Sequence, residues 1–132
     1  MILLVDASAA VDLLLRSDAG ERVRRFLAET DDLTLMTVAH LDAEVLSALA
    51  HLHRGDVLDA AEVTGLLDRL ATMAMRRLVI TGSLLQASWD LRDNVSARDV
   101  LYVAAARAVG GRLLTTDDRL ARAVPGLAVP LT

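Results

Sequence analysis

Short apolar runs alternate along the chain with longer segments in which apolar residues recur every three or four positions. The first pattern is typical of strands buried on both faces, and the second is typical of amphipathic helices. The sequence therefore predicts five strands, at residues 2–5, 33–37, 78–80, 113–114 and 127–129. It predicts helices between them, at residues 7–15, 17–28, 38–52, 56–75, 83–91, 97–109 and 117–124.

This alternation of strands and helices predicts an α/β fold in which helices cover both faces of a parallel sheet. A length of 132 residues is sufficient for a single domain over residues 1–132. Ligands of such sheets bind beyond the carboxyl ends of the strands, near the point where the strand order reverses. Asp6 and Asp117 each follow a predicted strand directly, so both are expected to project into that crevice.

Four carboxylates lie where apolar segments meet polar chain: Asp6, Glu44, Asp99 and Asp117. Each has a purely structural interpretation. Asp6 precedes a helix and could be its N-cap. Asp99 lies three residues after Ser96, at the front of the helix predicted from residue 97, an arrangement close to a capping box. Glu44 could be a residue at the boundary of an apolar face. Asp117 could also be a cap, and spacing alone does not choose between it and its neighbour Asp118.

The same acids have a chemical interpretation if the fold brings them together. Several carboxylates within a few ångströms repel one another unless some take up protons or a cation binds. Ligation by oxygen alone suits Mg²⁺ or Mn²⁺, which also bind phosphate oxygens. One or two such ions can support an in-line displacement at phosphorus. The acids therefore point to hydrolysis of a phosphodiester.

The histidines and paired arginines give weaker signals. His40, Glu44 and His51 fall at helical spacing, which favours a solvated polar face over a zinc site because no H-E-x-x-H pattern surrounds the acid. The arginine pairs at 24–25 and 76–77 could contact RNA phosphates. Ordinary surface charge is the favoured interpretation.

Composition excludes several classes of function. The net charge is −4, every cation is an arginine, and there is no cysteine, so a disulfide framework and a zinc–thiolate site are excluded. The only aromatic rings are those of Phe26, Trp89 and Tyr102, so recognition of nucleic acid by base stacking is not expected. No signal peptide or membrane span is expected either, and a cytoplasmic protein fits best.

Four segments in a fixed order carry a family resemblance that spans nearly the whole chain. They are Val5-Asp6-Ala7-Ser8, Ala43-Glu44-Val45-Leu46, Ser96-Ala-Arg-Asp99-Val-Leu-Tyr-Val-Ala104 and Leu114-Thr-Thr-Asp117. Together they resemble the PIN-domain ribonucleases. The size of the chain and the sequence that continues from Leu114 through Asp118-Arg-Leu-Ala121 resemble, within these, the VapC toxins of bacterial toxin–antitoxin pairs.

This resemblance implies a three-layer α/β/α domain with a parallel five-stranded sheet, and Mg²⁺-dependent cleavage of RNA. Asp6 and Asp99 match the main metal-binding acids, Glu44 the helical acid and Asp117 the fourth acid. Ser8 and Thr115 match the hydroxyls that support the acidic cluster. The resemblance also implies a homodimer and a VapB-like antitoxin. Residues 56–94 match only as a pattern of elements, so they carry no information on the substrate.

Two other classes of protein are alternatives to a ribonuclease. Receiver domains and haloacid-dehalogenase-like phosphatases resemble this layout, but both use a lysine, which this chain lacks. The phosphatases also place a second Asp two residues after the first, where this chain has Ser8. A binding module that keeps the fold without activity is the other alternative. Because all four acids are present, the sequence favours activity.

Overall fold

A computed structural model describes all 132 residues of the chain. Its four strands are β1 (Ile2–Val5), β2 (Thr34–Val38), β3 (Arg76–Leu78) and β4 (Arg112–Leu114). Its seven helices are α1 (Ala7–Leu15), α2 (Asp18–Glu29), α3 (Leu41–Arg54), α4 (Ala60–Thr72), α5 (Gly82–Trp89), α6 (Val100–Ala108) and α7 (Asp118–Ala123). None of the helices combines the length and the apolarity needed to span a bilayer.

The strands form one parallel sheet in the order β3-β2-β1-β4, which confirms the predicted α/β class. The chain moves from β1 outward to β2 and β3, and then returns to the opposite side of β1 to form β4. The strand order therefore reverses between β1 and β4. Ligands of parallel sheets bind at such a reversal, beyond the carboxyl ends of the two strands.

The predicted fifth strand is wrong as an extended element. Residues 127–129 make a single parallel bridge, between Ala128 and Leu113 of β4. Two backbone hydrogen bonds support it, from Leu113 N to Leu127 O at 3.0 Å and from Val129 N to Leu113 O at 2.9 Å. Pro130 follows immediately and has no N–H to continue the ladder. The sheet consequently has four strands.

The third strand lies two residues earlier than predicted. The prediction placed it at residues 78–80, but β3 consists of Arg76–Leu78, and the Val79 side chain is 77% exposed. β3 is an edge strand, and edge strands carry charged side chains that central strands exclude. Because Arg76 and Arg77 are not apolar, the apolar pattern begins only at Leu78 and places the strand too late.

The crossover connections decide which helices cover which face. Right-handed crossovers from β1 to β2 and from β2 to β3 run in the same direction across the sheet, so α1 to α4 share one face. The return from β3 to β4 places α5 and α6 on the other face, where α6 packs against β1, β2 and β4. This arrangement matches the predicted three layers. A cluster of 26 buried apolar residues fills the interior.

Two glycines meet needs that no other residue satisfies without strain. Gly110 ends α6 with a φ of +64°, the left-handed conformation that the Gly-Gly pair predicts. Gly20 lies in α2 where it crosses α1, and a Cβ there would be 1.9 Å from the carbonyl oxygen of Asp12. Gly20 therefore sets how closely the first two helices pack.

Candidate active site

Asp6 lies at the reversal point of the sheet, directly after β1, with only 2% of its surface exposed. One carboxylate oxygen, Oδ1, accepts hydrogen bonds from Ser8 Oγ at 2.8 Å and from Ala9 N at 2.9 Å. The other, Oδ2, accepts from Thr115 Oγ1 at 2.5 Å. The bond from Ala9 makes Asp6 the N-cap of α1. The cap interpretation is therefore correct, and it does not exclude a second role.

The environment of Asp6 disfavours its charged form. Burial raises the pKa of this carboxyl from 3.8 to about 6. Hydrogen bonds from Thr115, Ala9 and Ser8 act in the opposite direction, and the negative charge of Asp99 raises the pKa further. The carboxylate has hydroxyl and amide donors around it but no ion-pair partner. A nearby cation would therefore stabilise the charged form.

Ser8 and Thr115 join the ends of β1 and β4 beside this carboxylate. Their hydroxyl oxygens lie 3.1 Å apart. Ser8 Oγ also accepts from Thr116 N at 3.1 Å, and Thr115 Oγ1 accepts from Asp117 N at 3.1 Å. Both hydroxyls thus contact the Asp6 carboxylate. Each holds a backbone amide of the chain that leaves β4.

Glu44 lies on α3, the helix that follows β2. Its Oε1 accepts a hydrogen bond from the buried hydroxyl of Tyr102 on α6 and lies 2.9 Å from His40 Nε2. The His40 ring also packs against the Tyr102 ring, with centroids 5.0 Å apart. The glutamate is therefore a paired acid and not simply a residue at the edge of an apolar face.

The sequence patterns did not predict Tyr102 as a residue of the site. Burial raises the pKa of its hydroxyl well above the usual value, and the charges of Glu44, Asp6 and Asp99 raise it further. The phenol is thus close enough to three of the four predicted acids to sense their charge. The apolar pattern of α6 assigned this side chain to the core, although it follows Asp99 by three residues, which is one helical turn.

The cap interpretation of Asp99 is wrong. Asp99 precedes α6, which begins at Val100 and not at the predicted Ala97, and its side chain accepts no hydrogen bond from the helix backbone. Its Oδ2 instead accepts from Ser96 Oγ at 2.7 Å. The carboxylate is therefore not needed to satisfy helix amides, and its charge acts on both Asp6 and Tyr102.

Asp117 and Asp118 have different surroundings. Asp117 caps α7, because its Oδ1 accepts from Arg119 N at 3.0 Å and from Leu120 N at 3.2 Å. It is connected to the acidic site through Thr115, but its charge is not among those that shift the pKa of Asp6 or Tyr102. Asp118 is exposed and lines a separate hollow with Pro130 and other residues near the C-terminus. Three acids, Glu44, Asp6 and Asp99, thus act electrostatically on one hydroxyl, that of Tyr102, and Asp117 is not among them.

The histidines and the paired arginines of the sequence have different surroundings. His40 lies in the site, so the solvated-face interpretation is wrong for His40, although it holds for the exposed His51. Arg77 forms a two-bond ion pair with Asp42, at 2.6 and 2.9 Å. The guanidinium of Arg24 pairs with Glu21. Both arginines are thus engaged in intramolecular ion pairs.

The acidic side chains of the site can be compared with the ligands that divalent ions require. No three Asp, Glu or His side chains lie close enough together to form a metal-binding group. Mg²⁺ and Mn²⁺ accept oxygen ligands, and Mg²⁺ usually takes one or two protein carboxylates and keeps several waters. Asp6 and Asp99, which interact electrostatically, can provide that number of ligands. The residues fit such an ion and do not fit a zinc site of three protein ligands.

Comparison with known proteins agrees with this fold. The family model of the PIN domain matches residues 3–124. The ribonuclease VapC3 of Mycobacterium tuberculosis is 47% identical to this chain over 122 residues, which cover 92% of this chain and 86% of that protein. The chain therefore belongs to the PIN-domain family and, within it, to the VapC ribonucleases.

Solved structures share the fold at low sequence identity. The crystal structure of VapC20 from M. tuberculosis, a toxin that cleaves the sarcin–ricin loop, superposes with a TM-score of 0.72 at 18% identity, covering 98% of this chain and 99% of that one. VapBC2 from Rickettsia felis, solved bound to a DNA fragment from its promoter, gives 0.69 at 15% identity and covers 98% of each chain. At this level of sequence identity, the similarity to these structures shows that the fold is shared.

Proposed function

We propose that this protein is an Mg²⁺-dependent endoribonuclease toxin that cuts RNA phosphodiesters at the Asp6 site, with Mn²⁺ as an alternative ion. One observation carries the proposal. A buried carboxylate, Asp6, lies at the reversal point of a parallel sheet, its pKa is raised to about 6, and a second acid, Asp99, acts on it. The 47% identity to a ribonuclease of the same family supports RNA as the substrate.

Each acid has a proposed role that follows from its surroundings. Asp6 and Asp99 hold the ion, since Asp6 keeps its orientation through three donors and Asp99 is free of helix amides. Glu44 is held by Tyr102 and His40 and completes the negative field. Asp117 is the fourth acid and is preferred to Asp118, because it alone is tied to Thr115.

The supporting hydroxyls and the ion complete the proposed mechanism. Ser8 and Thr115 orient the Asp6 carboxylate and link it to the chain after β4. A bound divalent ion supplies Lewis-acid stabilisation of the charged phosphodiester. Hydrolysis then leaves a 5′-phosphate on the downstream product.

The proposed partners follow from the same family. We expect a homodimer in the cytoplasm, inhibited by a VapB-like antitoxin whose C-terminal segment covers the acidic crevice. A hollow of about 350 Å³ between α1 and α4, lined by apolar side chains such as Leu15, Leu58 and Leu66, supports docking of an apolar segment of the antitoxin against these two helices. The proposal includes the helices that begin near Ser17 and after Asp56 as parts of this surface.

Incubation of the purified protein with total RNA, followed by mapping of the new 5′ ends, tests this function. Cuts are expected with Mg²⁺ or Mn²⁺, and none with EDTA or with Asp6→Ala. Asp68→Asn, which changes an exposed aspartate of α4, is the matched control and should cut as the unchanged protein does. If RNA stays intact in every metal, the inactive binding module replaces the ribonuclease as the better interpretation.

A further inference from the structure

Two helices present acid and donor pairs to each other across the candidate site. On α3, His40 immediately precedes the helix and Glu44 follows one turn later. On α6, Asp99 precedes the helix and Tyr102 follows by three residues. The two pairs meet at Glu44, where Tyr102 and His40 both contact the same oxygen, Oε1. Glu44 Oε2 has no hydrogen-bond partner in the protein.

We propose that Tyr102 and His40 are positioning residues, which hold Glu44 by Oε1 so that Oε2 remains available to a divalent ion or to its water ligands. This inference rests on the proposed metal-dependent function. In this proposal Tyr102 and His40, which are not among the four acids, orient Glu44, which is one of them. Donors that orient a metal-binding group in this way change metal affinity or activity by about 10- to 100-fold when removed.

The chemistry of both donors fits this task. Tyr102 is 1% exposed, and its hydroxyl donates to the Glu44 carboxylate, which can only accept. His40 Nδ1 is buried without a partner, whereas Nε2 faces Glu44. The tautomer with its proton on Nε2 is the one that leaves no buried donor unpaired. Both protons then point at one oxygen.

Packing restrains Tyr102 in particular. It belongs to the buried face of α6, which contacts the sheet, and its ring lies against the ring of His40. The Tyr102 hydroxyl cannot move away from Glu44 without a change in this core. Glu44 is consequently restrained at Oε1 before any ion binds, which reduces the conformational entropy that the carboxylate loses when it takes an ion.

Titration with Mn²⁺, followed by electron paramagnetic resonance of the free ion, tests the proposal without an activity assay. Tyr102→Phe removes only the hydroxyl, and it should raise the Kd for Mn²⁺ about tenfold. His40→Gln should also raise it. Ser88→Ala, which removes another buried hydroxyl, one that donates to Leu84 O at 2.8 Å, is the control and should leave the Kd unchanged. Circular dichroism verifies that each variant is folded.

The double variant separates positioning from a general loss of structure. If Tyr102 acts through Glu44, Tyr102→Phe has no further effect on Mn²⁺ binding in a Glu44→Gln background. Should Glu44→Gln weaken binding while Tyr102→Phe and His40→Gln do not, the positioning role is wrong and the proposed metal site stands. If Glu44→Gln itself leaves the Kd unchanged, both the role of Glu44 and this inference fail. If Tyr102→Phe does not fold, His40→Gln decides by the same comparison.

Discussion

The Asp6 carboxylate and the Thr115 hydroxyl form a hydrogen bond across 109 residues of sequence. The bond joins the ends of β1 and β4, the two strands between which the sheet order reverses. It places a buried acid and its supporting hydroxyl where parallel α/β sheets bind ligands. The environment that gives Asp6 its raised pKa is thus a direct product of the strand order.

The stability of the metal-free protein should depend on the ionisation of Asp6. Its folded pKa, about 6, is above the ordinary 3.8, so the native state holds this proton more tightly than the unfolded state does. This contribution to stability is fully present below pH 3.8 and is lost as the pH rises to about 6, by up to about 3 kcal/mol. Asp6→Asn removes the charge and should be more stable than the unchanged protein at pH 8, with little difference at pH 4.

Urea denaturation in EDTA at both pH values measures this difference. The matched control is Asp68→Asn, whose carboxylate is exposed, and which should show no pH-dependent change. An Asp6→Asn variant that is less stable than the unchanged protein at pH 8 would contradict the assignment of burial as the dominant cause.

Divalent ions should raise the melting temperature. A ligand that binds only the native state stabilises it by about 1.4 kcal/mol at ten times its Kd, which corresponds to roughly 5 °C for a domain of this size. Thermal unfolding followed by circular dichroism in MgCl₂, MnCl₂ or EDTA measures the shift. The shift should disappear in Asp6→Asn and Asp99→Asn. An equal shift in those two variants would place the bound ion elsewhere.

Asp6→Asn and Asp99→Asn should also abolish RNA cleavage while the fold stays intact. Asn accepts the hydrogen bonds that cap α1, so the first variant keeps this helix terminus. Asp99 makes no hydrogen bond to the backbone of α6, so the second has no cap to lose. Rates of RNA cleavage under single-turnover conditions measure the effect. Cleavage at the unchanged rate by either variant would show that the acid is not part of the site.

Asp117 and Asp118 can be separated by their different surroundings. Asp117→Asn keeps the cap of α7 but removes the charge, so it should lower the cleavage rate at least about tenfold with little change in stability. Asp117→Ala should in addition reduce the free energy of unfolding by about 1 kcal/mol. Asp118→Asn should leave both quantities unchanged. If Asp118→Asn alone lowers the rate, the choice of the fourth acid is reversed.

Two glycine substitutions test the packing of the helices. Gly20→Ala would place a Cβ against a backbone carbonyl, so it should destabilise the protein by about 2 kcal/mol in spite of the better helix propensity of Ala. Gly65→Ala lies in α4 with open space around it and should stabilise by about 0.5–1 kcal/mol. Chemical denaturation of both variants gives the comparison. Equal effects at the two positions would mean that α1 and α2 can separate easily.

Local patterns determined the α/β class and most of the elements of this chain. Apolar runs with helical segments between them are sufficient to predict a parallel sheet, because each run can be buried only between layers of helices. These patterns do not indicate which strand lies at an edge of the sheet. The arginines of β3 therefore shifted the predicted third strand by two residues, and Pro130 limited the predicted fifth strand to one bridge.

The sequence by itself also determined that Asp6, Glu44, Asp99 and Asp117 lie near the ends of elements, since that follows from their positions beside apolar segments. Only the tertiary structure decided their surroundings. Burial raises the pKa of Asp6, Asp99 is free of helix amides, and Tyr102 meets Glu44 across 58 residues. Hydrogen bonds and desolvation depend on distances between elements, which periodicity within each element does not specify.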